Sequence, residues 1–296
     1  MRKFYFGVDG TGPYRNSKYE ADFRDSFVNL FKRENAWTAS AYDRGPGLDG
    51  MSTKRKGEQA ANMVEMWMRL NQMGSASFLV LAGYSRGGAA VIHACNVLLR
   101  KNITVDCLLL FDAVDRTMNL GGVQQIPENV RCVYHARRHD DTKSRGSFDN
   151  CGTSMRSSAS IGKTYHEKFF YGTHGAIGGV PHILEDELFQ ARDLKPVMPD
   201  PQKTLHAPLP GRTLQEKHNN KRRQDTNIRE AMSIPKTTVS YAQDEKVALQ
   251  VGHWMRSGLQ AAKTNHNTIR SGNVGISRQP LPEATRVSIS SNGRSR

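Results

Sequence analysis

The sequence predicts an α/β protein in which a mostly parallel β-sheet is covered by helices on both faces. Strongly apolar runs of strand length recur along the first 180 residues, and segments of helical period separate them. Strands as apolar as FLVLAG and CLLLF are typical of parallel sheets that are buried on both faces. The regular alternation of the two kinds of segment favours one layered α/β domain.

The predicted elements follow one another without a visible internal repeat. FYFGV is the first strand, and a helix over residues 20–35 places several aromatic side chains on one face before the short strand AWTASAYD. A helix over 58–73 precedes the strand ASFLVLAG, which leads into the helix RGGAAVIHACNVLLR. TVDCLLLFD and NVRCVYHARR are further strands, and the apolar run KFFYG follows them. This order predicts an α/β domain over residues 1–260.

Composition excludes some classes of protein. No run of 18 apolar residues exists, so no membrane-spanning helix is predicted, and the N-terminus does not read as a secretory signal. The four cysteines lack metal-ligand spacing, which favours synthesis in the reducing cytoplasm and predicts neither a metal site nor another cofactor.

Two regions depart from the α/β pattern. Residues 183–240 contain several prolines and a basic polar run, which predicts an irregular, lid-like insertion. Residues 261–296 carry six Lys/Arg and one Glu among Ser, Asn and Gly, which predicts a disordered basic tail. The formal net charge of +14 favours an anionic partner, either a phospholipid surface or a nucleic acid.

The chemistry is indicated first by GYSRG at residues 83–87. Its G-x-S-x-G spacing is that of a nucleophile elbow, and it stands where such a turn must stand, between an apolar strand and a helix of small residues. The glycines would let the helix pack close to the strand and leave the hydroxyl of Ser85 exposed at the sheet edge. A glycine-rich turn without chemistry is the alternative interpretation.

A serine nucleophile needs a base, and the ten histidines offer several candidates. His174 is favoured because it follows an apolar and aromatic run and lies among glycines at a strand end. His93 lies inside the helix after Ser85, where a packing role is expected. His166 and His182 are poorer candidates, since one lies early in the strand and the other begins a helix.

The acid that orients this base is left open by position alone. Asp112 and Asp115 end the strand after the nucleophile helix, whereas Asp140 and Asp141 end the next strand. The second location is the more usual one for a chain order of serine, acid and histidine. The pair that is not used would cap a helix or lie at the surface.

The sequence DGTG at residues 9–12 ends the first strand and admits three interpretations: a phosphatase nucleophile, a sugar-kinase phosphate loop or a backbone donor loop. A phosphatase would need an aspartate where Gly7 stands, and a kinase loop needs a residue between Asp and Gly. These mismatches favour a donor loop, in which the amides of Gly10 and Thr11 join that of Arg86 in an oxyanion hole. A simple turn that ends the strand is the alternative.

Four motifs in this order, VDGTG, GYSRGG, LFDAVD and GTHGAIGG, resemble the α/β-hydrolase domain of type VI secretion phospholipase effectors. That family shows D-G-T, G-F-S-R-G-A, D-T-V and G-x-H-x-x-x-G-G, and the resemblance covers roughly residues 4–180. It implies Ser85 as nucleophile, Asp112 as acid and His174 as base. Tyr84 and Ala113 depart from the family pattern, as does the pair Ala176-Ile177, so the substrate is less well indicated than the triad.

The expected function is therefore hydrolysis of a carboxylic ester through an acyl-enzyme. The resemblance implies a phospholipase of the A type that meets an anionic membrane, is exported by a specialised secretion system, and has an immunity or secretion-machinery protein as partner. An esterase or thioesterase acting on a soluble acyl substrate is the alternative within enzymes. A non-catalytic nucleic-acid-binding protein on the same scaffold is the alternative from another class, although no specific nucleic acid is expected.

Overall fold

A six-stranded parallel β-sheet forms the centre of the protein. The computed structural model describes residues 1–12, 16–47, 52–70, 73–74, 76–115, 120–139, 150–156, 163–180 and 241–270. The strand order is β2-β1-β3-β4-β6-β8, and each neighbouring pair is parallel. The strands of this sheet are β1 Lys3–Val8, β2 Ala39–Asp43, β3 Phe78–Tyr84, β4 Val105–Phe111, β6 Val130–Arg138 and β8 Thr164–Phe170.

Six helices and a small second sheet complete the described part of the chain. The second sheet pairs β5 Gln125–Ile126 with β7 Ser154–Met155, two short strands that the sequence pattern did not predict. The helices are α1 Asn16–Asp22, α2 Phe27–Glu34, α3 Thr53–Arg69, α4 Arg86–Leu99, α5 His174–Gly178 and α6 Tyr241–Arg270.

Helices cover the sheet on both faces, as the continuous apolar strands predict. Every residue of β3 and of β4 is buried. On one face, side chains of α3 and α4 pack with alternate strand residues around Leu79, Leu81 and Leu108. On the other face, α2, α5 and α6 pack around Val80 and Phe111. The predicted fold class, an α/β protein with a mostly parallel sheet covered by helices on both faces, is confirmed.

The strand register brings the site residues that the sequence predicts to the carboxyl ends of neighbouring strands. Val8 pairs with Gly83, Tyr84 with Phe111, and Phe111 with Ala136. All these strands run in the same direction, so the residues that follow their carboxyl ends lie side by side. Ligand and active sites of open α/β sheets occur at this edge.

The helix predicted over residues 20–35 is wrong in one respect, because the chain forms two helices there. Ser26 caps α2 by accepting a hydrogen bond from the Asn29 N–H, and α1 ends at Asp22. The Ser26 hydroxyl also donates to the buried carboxylate of Asp9. A continuous helix would not offer this cap, so a contact across the fold decides the break. The helix predicted over 58–73 is α3, which begins and ends earlier.

The predicted start of the tail at residue 261 is also wrong, because α6 continues to Arg270. Ala262 and His266 are buried, although most of the residues around them in the sequence are polar. His266 Nδ1 lies 3.1 Å from Asp106 Oδ1 in β4, so this last part of α6 is fixed to the sheet. The predicted insertion over 183–240 and the rest of the tail, 271–296, lie outside the described residues. No helix within the described ranges is long and apolar enough to cross a membrane.

Candidate active site

Ser85 stands on a sharp turn between β3 and α4. Its backbone has φ 56° and ψ −128°, a conformation that residues with a side chain rarely adopt and that carries strain. The two glycines of the motif permit the turn, because a Cβ on Gly83 would lie 2.5 Å from Gly87 O and one on Gly87 would lie 2.2 Å from Val8 O. The predicted turn between strand and helix is therefore present at Ser85, but only 5% of this residue is exposed, whereas the sequence predicts an exposed hydroxyl.

Asp112 and His174 meet directly behind this edge of the sheet. His174 Nδ1 lies 2.6 Å from Asp112 Oδ2, and only 4% of His174 and 1% of Asp112 is exposed. Asp112 follows β4 with φ 43°, while His174 begins the short helix α5 after β8. Of the acids that position left open, the structure brings Asp112 onto the histidine favoured from the sequence.

A buried arginine holds the charge of this pair. Arg138, the last residue of β6, places Nη1 2.6 Å from Asp112 Oδ2. Burial alone would raise the pKa of Asp112, but the Arg138 cation and the hydrogen bonds from His174 and Arg138 outweigh burial and hold that pKa well below its usual range. Asp112 is therefore a carboxylate at neutral pH.

Tyr84 links the serine turn to the histidine. Its hydroxyl donates to His174 O at 3.1 Å, and the two rings lie 4.9 Å apart between centroids. A Cβ on Gly178 would lie 2.4 Å from the Tyr84 ring, so α5 packs closely on this side chain. Because Tyr84 directly precedes Ser85, these contacts hold His174 beside the elbow.

The loop after β1 lies against the same serine. A Cβ on Gly10 would lie 3.2 Å from Ser85 Cβ, and Tyr19 donates a hydrogen bond of 2.6 Å to Gly10 O. The Gly10 N–H donates to Asp9 Oδ1 at 3.0 Å. Thr11 Oγ1 is buried and has no hydrogen-bond partner within the part of the chain that the structure describes.

Asp9 is a second buried carboxyl beneath this loop. It accepts hydrogen bonds from Ser26, from the Gly10 N–H and, at 2.9 Å, from the Tyr42 hydroxyl. Burial raises the pKa of Asp9 to about 7, although these hydrogen bonds lower it in part. The carboxyl group of Asp9 therefore holds the backbone of the loop after β1 at Gly10, and its pKa lies near neutral pH.

The other candidates from the sequence have different surroundings. Asp115 lies three residues beyond Asp112, after a β-bridge between Val114 and Asn150, and the two aspartates at 140 and 141 lie outside the described residues. His166 is within β8 and stacks on Tyr134 at 4.6 Å.

The other residues that the sequence analysis names are His93, His182 and Arg86. His93 lies on α4 with Nε2 4.0 Å from Glu58, and position 182 is outside the described residues. Arg86 is the first residue of α4, and its guanidinium donates to Gly47 O at 3.2 Å. Among the described residues, no three His, Cys, Asp or Glu side chains gather in a way that could hold a metal ion.

Three residues of this site were missed by sequence reasoning. The sequence indicates Tyr84 only as a departure from a family motif, and it indicates Arg138 only as part of a predicted strand. Asp244 of α6 binds the residue before His174, 71 positions earlier in the chain. Pattern and spacing carry no signal for such a contact, because it depends on how distant segments pack.

No protein-family model and no curated protein matches this sequence. Solved structures do resemble it at low similarity. The structure of the Tle1 effector bound to the VgrG spike from the type 6 secretion system is 16% identical with a TM-score of 0.33 and covers 60% of this chain. An uncharacterized protein from Pseudomonas aeruginosa is 10% identical with a TM-score of 0.40 over 91% of this chain. This chain spans 51% and 53% of those two proteins, about half of their length.

A third solved structure is the RedJ thioesterase of the prodiginine biosynthetic pathway in Streptomyces coelicolor. It is 12% identical with a TM-score of 0.32, and the match covers 64% of this chain and 85% of the thioesterase.

Proposed function

We propose that this chain is a serine-dependent hydrolase that cleaves carboxylic esters through an acyl-enzyme. The observation that carries the proposal is the buried contact of 2.6 Å between His174 Nδ1 and Asp112 Oδ2, with His174 packed on Tyr84, the residue before the strained turn at Ser85. A serine hydroxyl is a weak nucleophile, and it becomes effective when a histidine oriented by a carboxylate takes its proton.

Ser85, His174 and Asp112 each have one task in this mechanism. Asp112 is ionised, and its Oδ2 accepts a hydrogen bond from the protonated Nδ1 of His174, which leaves Nε2 as the base. Nε2 removes the proton of Ser85 as its oxygen attacks the acyl carbonyl, and then gives that proton to the departing alcohol. A water molecule then attacks the acyl-enzyme while His174 again takes the proton. His174 returns this proton to Ser85 as the carboxylic acid leaves.

Backbone amides at the edge of the sheet would hold the oxyanion of the tetrahedral intermediate. Arg86 directly follows Ser85 and begins α4, where N–H groups and the helix dipole favour negative charge. The Gly10 N–H already donates to Asp9, so we assign the second donor to Thr11. Gly10 serves by its missing side chain, which lets this loop approach Ser85.

We further propose that the substrate is a phospholipid in an anionic membrane surface. Two features support this: the resemblance of the sequence motifs to phospholipase effectors and the net charge of +14. An exported effector would also meet secretion machinery or an immunity protein. A soluble ester or thioester remains the alternative substrate, and nucleic-acid binding without catalysis remains the alternative function.

Hydrolysis of vesicles and of a soluble nitrophenyl ester, followed across a salt series, tests the function and the substrate together. The parent should hydrolyse both, and Ser85→Ala should lose about a thousandfold or more on each. Vesicle hydrolysis should rise with anionic lipid content and fall with salt, because screening within about 10 Å weakens each basic contact. Turnover of the soluble ester should barely respond to salt.

The matched variant neutralises Lys221, Arg222 and Arg223 of the basic run in the sequence. It should weaken vesicle hydrolysis and spare the soluble ester. Equal salt responses for the two substrates would contradict the membrane substrate. Salt-sensitive binding of duplex DNA with no ester turnover would replace the enzyme with the nucleic-acid-binding alternative.

A further inference from the structure

The first turn of α6 holds the backbone that leads into His174. Asp244 Oδ1 accepts a hydrogen bond of 2.6 Å from the Thr173 N–H, and Asp244 Oδ2 accepts one of 2.5 Å from the Thr173 hydroxyl. Only 1% of Asp244 is exposed, so a buried carboxylate is bound by both donors of one residue. Hydrogen bonds that involve a charged partner are shorter and stronger than neutral ones.

Thr173 transmits this contact to α5. Its backbone is extended, with φ −72° and ψ 163°, and its hydroxyl oxygen accepts a hydrogen bond of 3.3 Å from the Ala176 N–H. The same hydroxyl therefore donates to Asp244 and caps the helix that begins with His174. Moving the hydroxyl would turn the first residue of α5, and that residue is His174.

The neighbouring residues show how closely α6 approaches this segment. A Cβ on Gly172 would lie 2.6 Å from Val247 Cγ1 and 3.2 Å from Asp244 Oδ1. Gln243 donates to Tyr171 O at 3.2 Å. Glycine at position 172 thus makes room for α6. The three consecutive residues before His174 all contact the first turns of α6.

Helix α6 is itself anchored at sites remote from His174. Val251 and Met255 are fully buried in the core on this face of the sheet. Arg256 forms two hydrogen bonds of 2.7 Å with Glu34 of α2, and His266 lies 3.1 Å from Asp106. Asp244 therefore projects from a helix with a fixed position.

We propose that Asp244 is a positioning residue that fixes His174 through Thr173, a role that rests on the serine-hydrolase function proposed above. Asp244 does not act on substrate. It sets the backbone at Thr173 so that the imidazole meets Asp112 and packs on Tyr84, the residue before Ser85. A displacement of a catalytic group by about 1 Å costs on the order of a hundredfold in rate. Loss of Asp244 should therefore lower kcat and leave KM nearly unchanged.

Kinetics of four variants on a soluble nitrophenyl ester test this role. Asp244→Asn and Thr173→Val should each lower kcat about 10- to 100-fold with KM within about twofold of the parent. Thr173→Ser keeps both hydrogen-bonding groups and should retain most of the kcat. Val251→Ala removes core packing from the same helix, so it should lower Tm while kcat stays close to that of the parent.

The double variant Asp244→Asn with Thr173→Val should be no slower than the slower single variant, because both changes break one contact. An unchanged kcat in folded Asp244→Asn would overturn the proposal. A loss of kcat in Val251→Ala as large as that in Asp244→Asn would also overturn it, because α6 would then affect His174 only through general packing. If Asp244→Asn does not fold, the comparison of Thr173→Val with Thr173→Ser decides, and equal damage from both would overturn the role of the hydroxyl.

The imidazole proton of His174 gives a readout that does not require turnover. Nuclear magnetic resonance of the proton on Nδ1 reports its hydrogen bond with Asp112. We expect the signal in the parent and in Val251→Ala and its loss in Asp244→Asn. A parent that lacks ester hydrolysis but shows this dependence on Asp244 would contradict the proposed function and retain the positioning role. A signal that persists in Asp244→Asn would contradict the positioning role alone.

Discussion

The two ends of strand β4 each carry an aspartate that binds an arginine of β6 and a histidine from a helix. The strand has seven residues, so its ends are about 20 Å apart. The aspartate and the histidine of each group are buried, and so is Arg138, whereas Arg131 is exposed. The trio is Asp112, Arg138 and His174 at the carboxyl end, and Asp106, Arg131 and His266 at the amino end.

The difference lies in what surrounds each trio. Asp106 accepts a hydrogen bond of 2.9 Å from the Leu79 N–H, and the His266 ring packs edge-on against Phe78 at 5.2 Å. This trio ties α6 to the start of β3. At the other end the histidine lies beside Tyr84 and the strained turn at Ser85. An Asp–His–Arg group is therefore no evidence of catalysis until a nucleophile faces it.

The pKa values of the two aspartates are also shifted in opposite directions. The Asp112 pKa lies below its usual range, whereas burial raises the pKa of Asp106 despite its hydrogen bonds and its neighbours His266 and Arg131. The side chain of Arg138 is 8% exposed, but that of Arg131 is 46% exposed, so solvent weakens the second cation. The carboxyl end keeps an ionised acid that can orient a histidine.

Exchange of aspartate for asparagine at each end of β4 tests whether the two aspartates have different roles. Asp112→Asn should lower kcat about 10⁴-fold on a soluble ester, because His174 then loses the acceptor that selects its tautomer. Asp106→Asn should leave kcat nearly unchanged and lower Tm. Circular dichroism melts verify folding, and a crippling effect of Asp106→Asn would reverse the assignment of the two ends.

Truncation at two points tests the structural role of the amino end. Ending the chain after Gln260 removes His266 and should lower the free energy of unfolding by about 3–5 kcal/mol, because Asp106 stays buried without that partner. Ending it after Arg270 removes the mostly polar residues 271–296 and should cost far less. Urea unfolding measures both, and equal losses would show that the amino-end trio contributes little.

The pH dependence of stability tests the buried carboxyl of Asp9. Its pKa is raised to about 7, so the folded state holds this proton more tightly than the unfolded chain does. The resulting stabilisation is complete below the unfolded pKa, near 4, and is lost as the pH rises toward 7. Between pH 5 and pH 8 the loss is about 2–3 kcal/mol.

Asp9→Asn resembles the protonated form, so its stability should lack this fall. The measured quantity is the difference between parent and variant in urea unfolding across this pH range, since other groups titrate in both proteins. Parallel curves for the two proteins would show that Asp9 is already ionised in the folded state below pH 5.

Much of the fold could be predicted from the sequence because the buried strands are apolar throughout. Strands β3 and β4 lie where the runs FLVLAG and CLLLF predict them. The elbow at Ser85 could also be predicted, since its spacing and its position between strand and helix are both local features. Such features depend on neighbouring residues alone.

Features that depend on distant contacts could not be predicted in the same way. The break before Ser26 depends on Asp9, and the length of α6 depends on the contact of His266 with Asp106. In the sequence, the helical pattern is continuous through Ser26, and the last part of α6 is polar. The acid stayed open between two strand ends because only the strand register places Asp112 beside His174.

Labelling with a fluorophosphonate, followed by peptide mapping, shows whether Ser85 is an activated nucleophile. The probe forms a covalent adduct only with a serine that a base has activated. We expect one adduct on Ser85 in the parent and in Ser77→Ala, a serine change at the opposite end of β3, and no adduct in Ser85→Ala or His174→Ala. A folded parent that takes up no probe, or an adduct that persists in Ser85→Ala, would contradict the account.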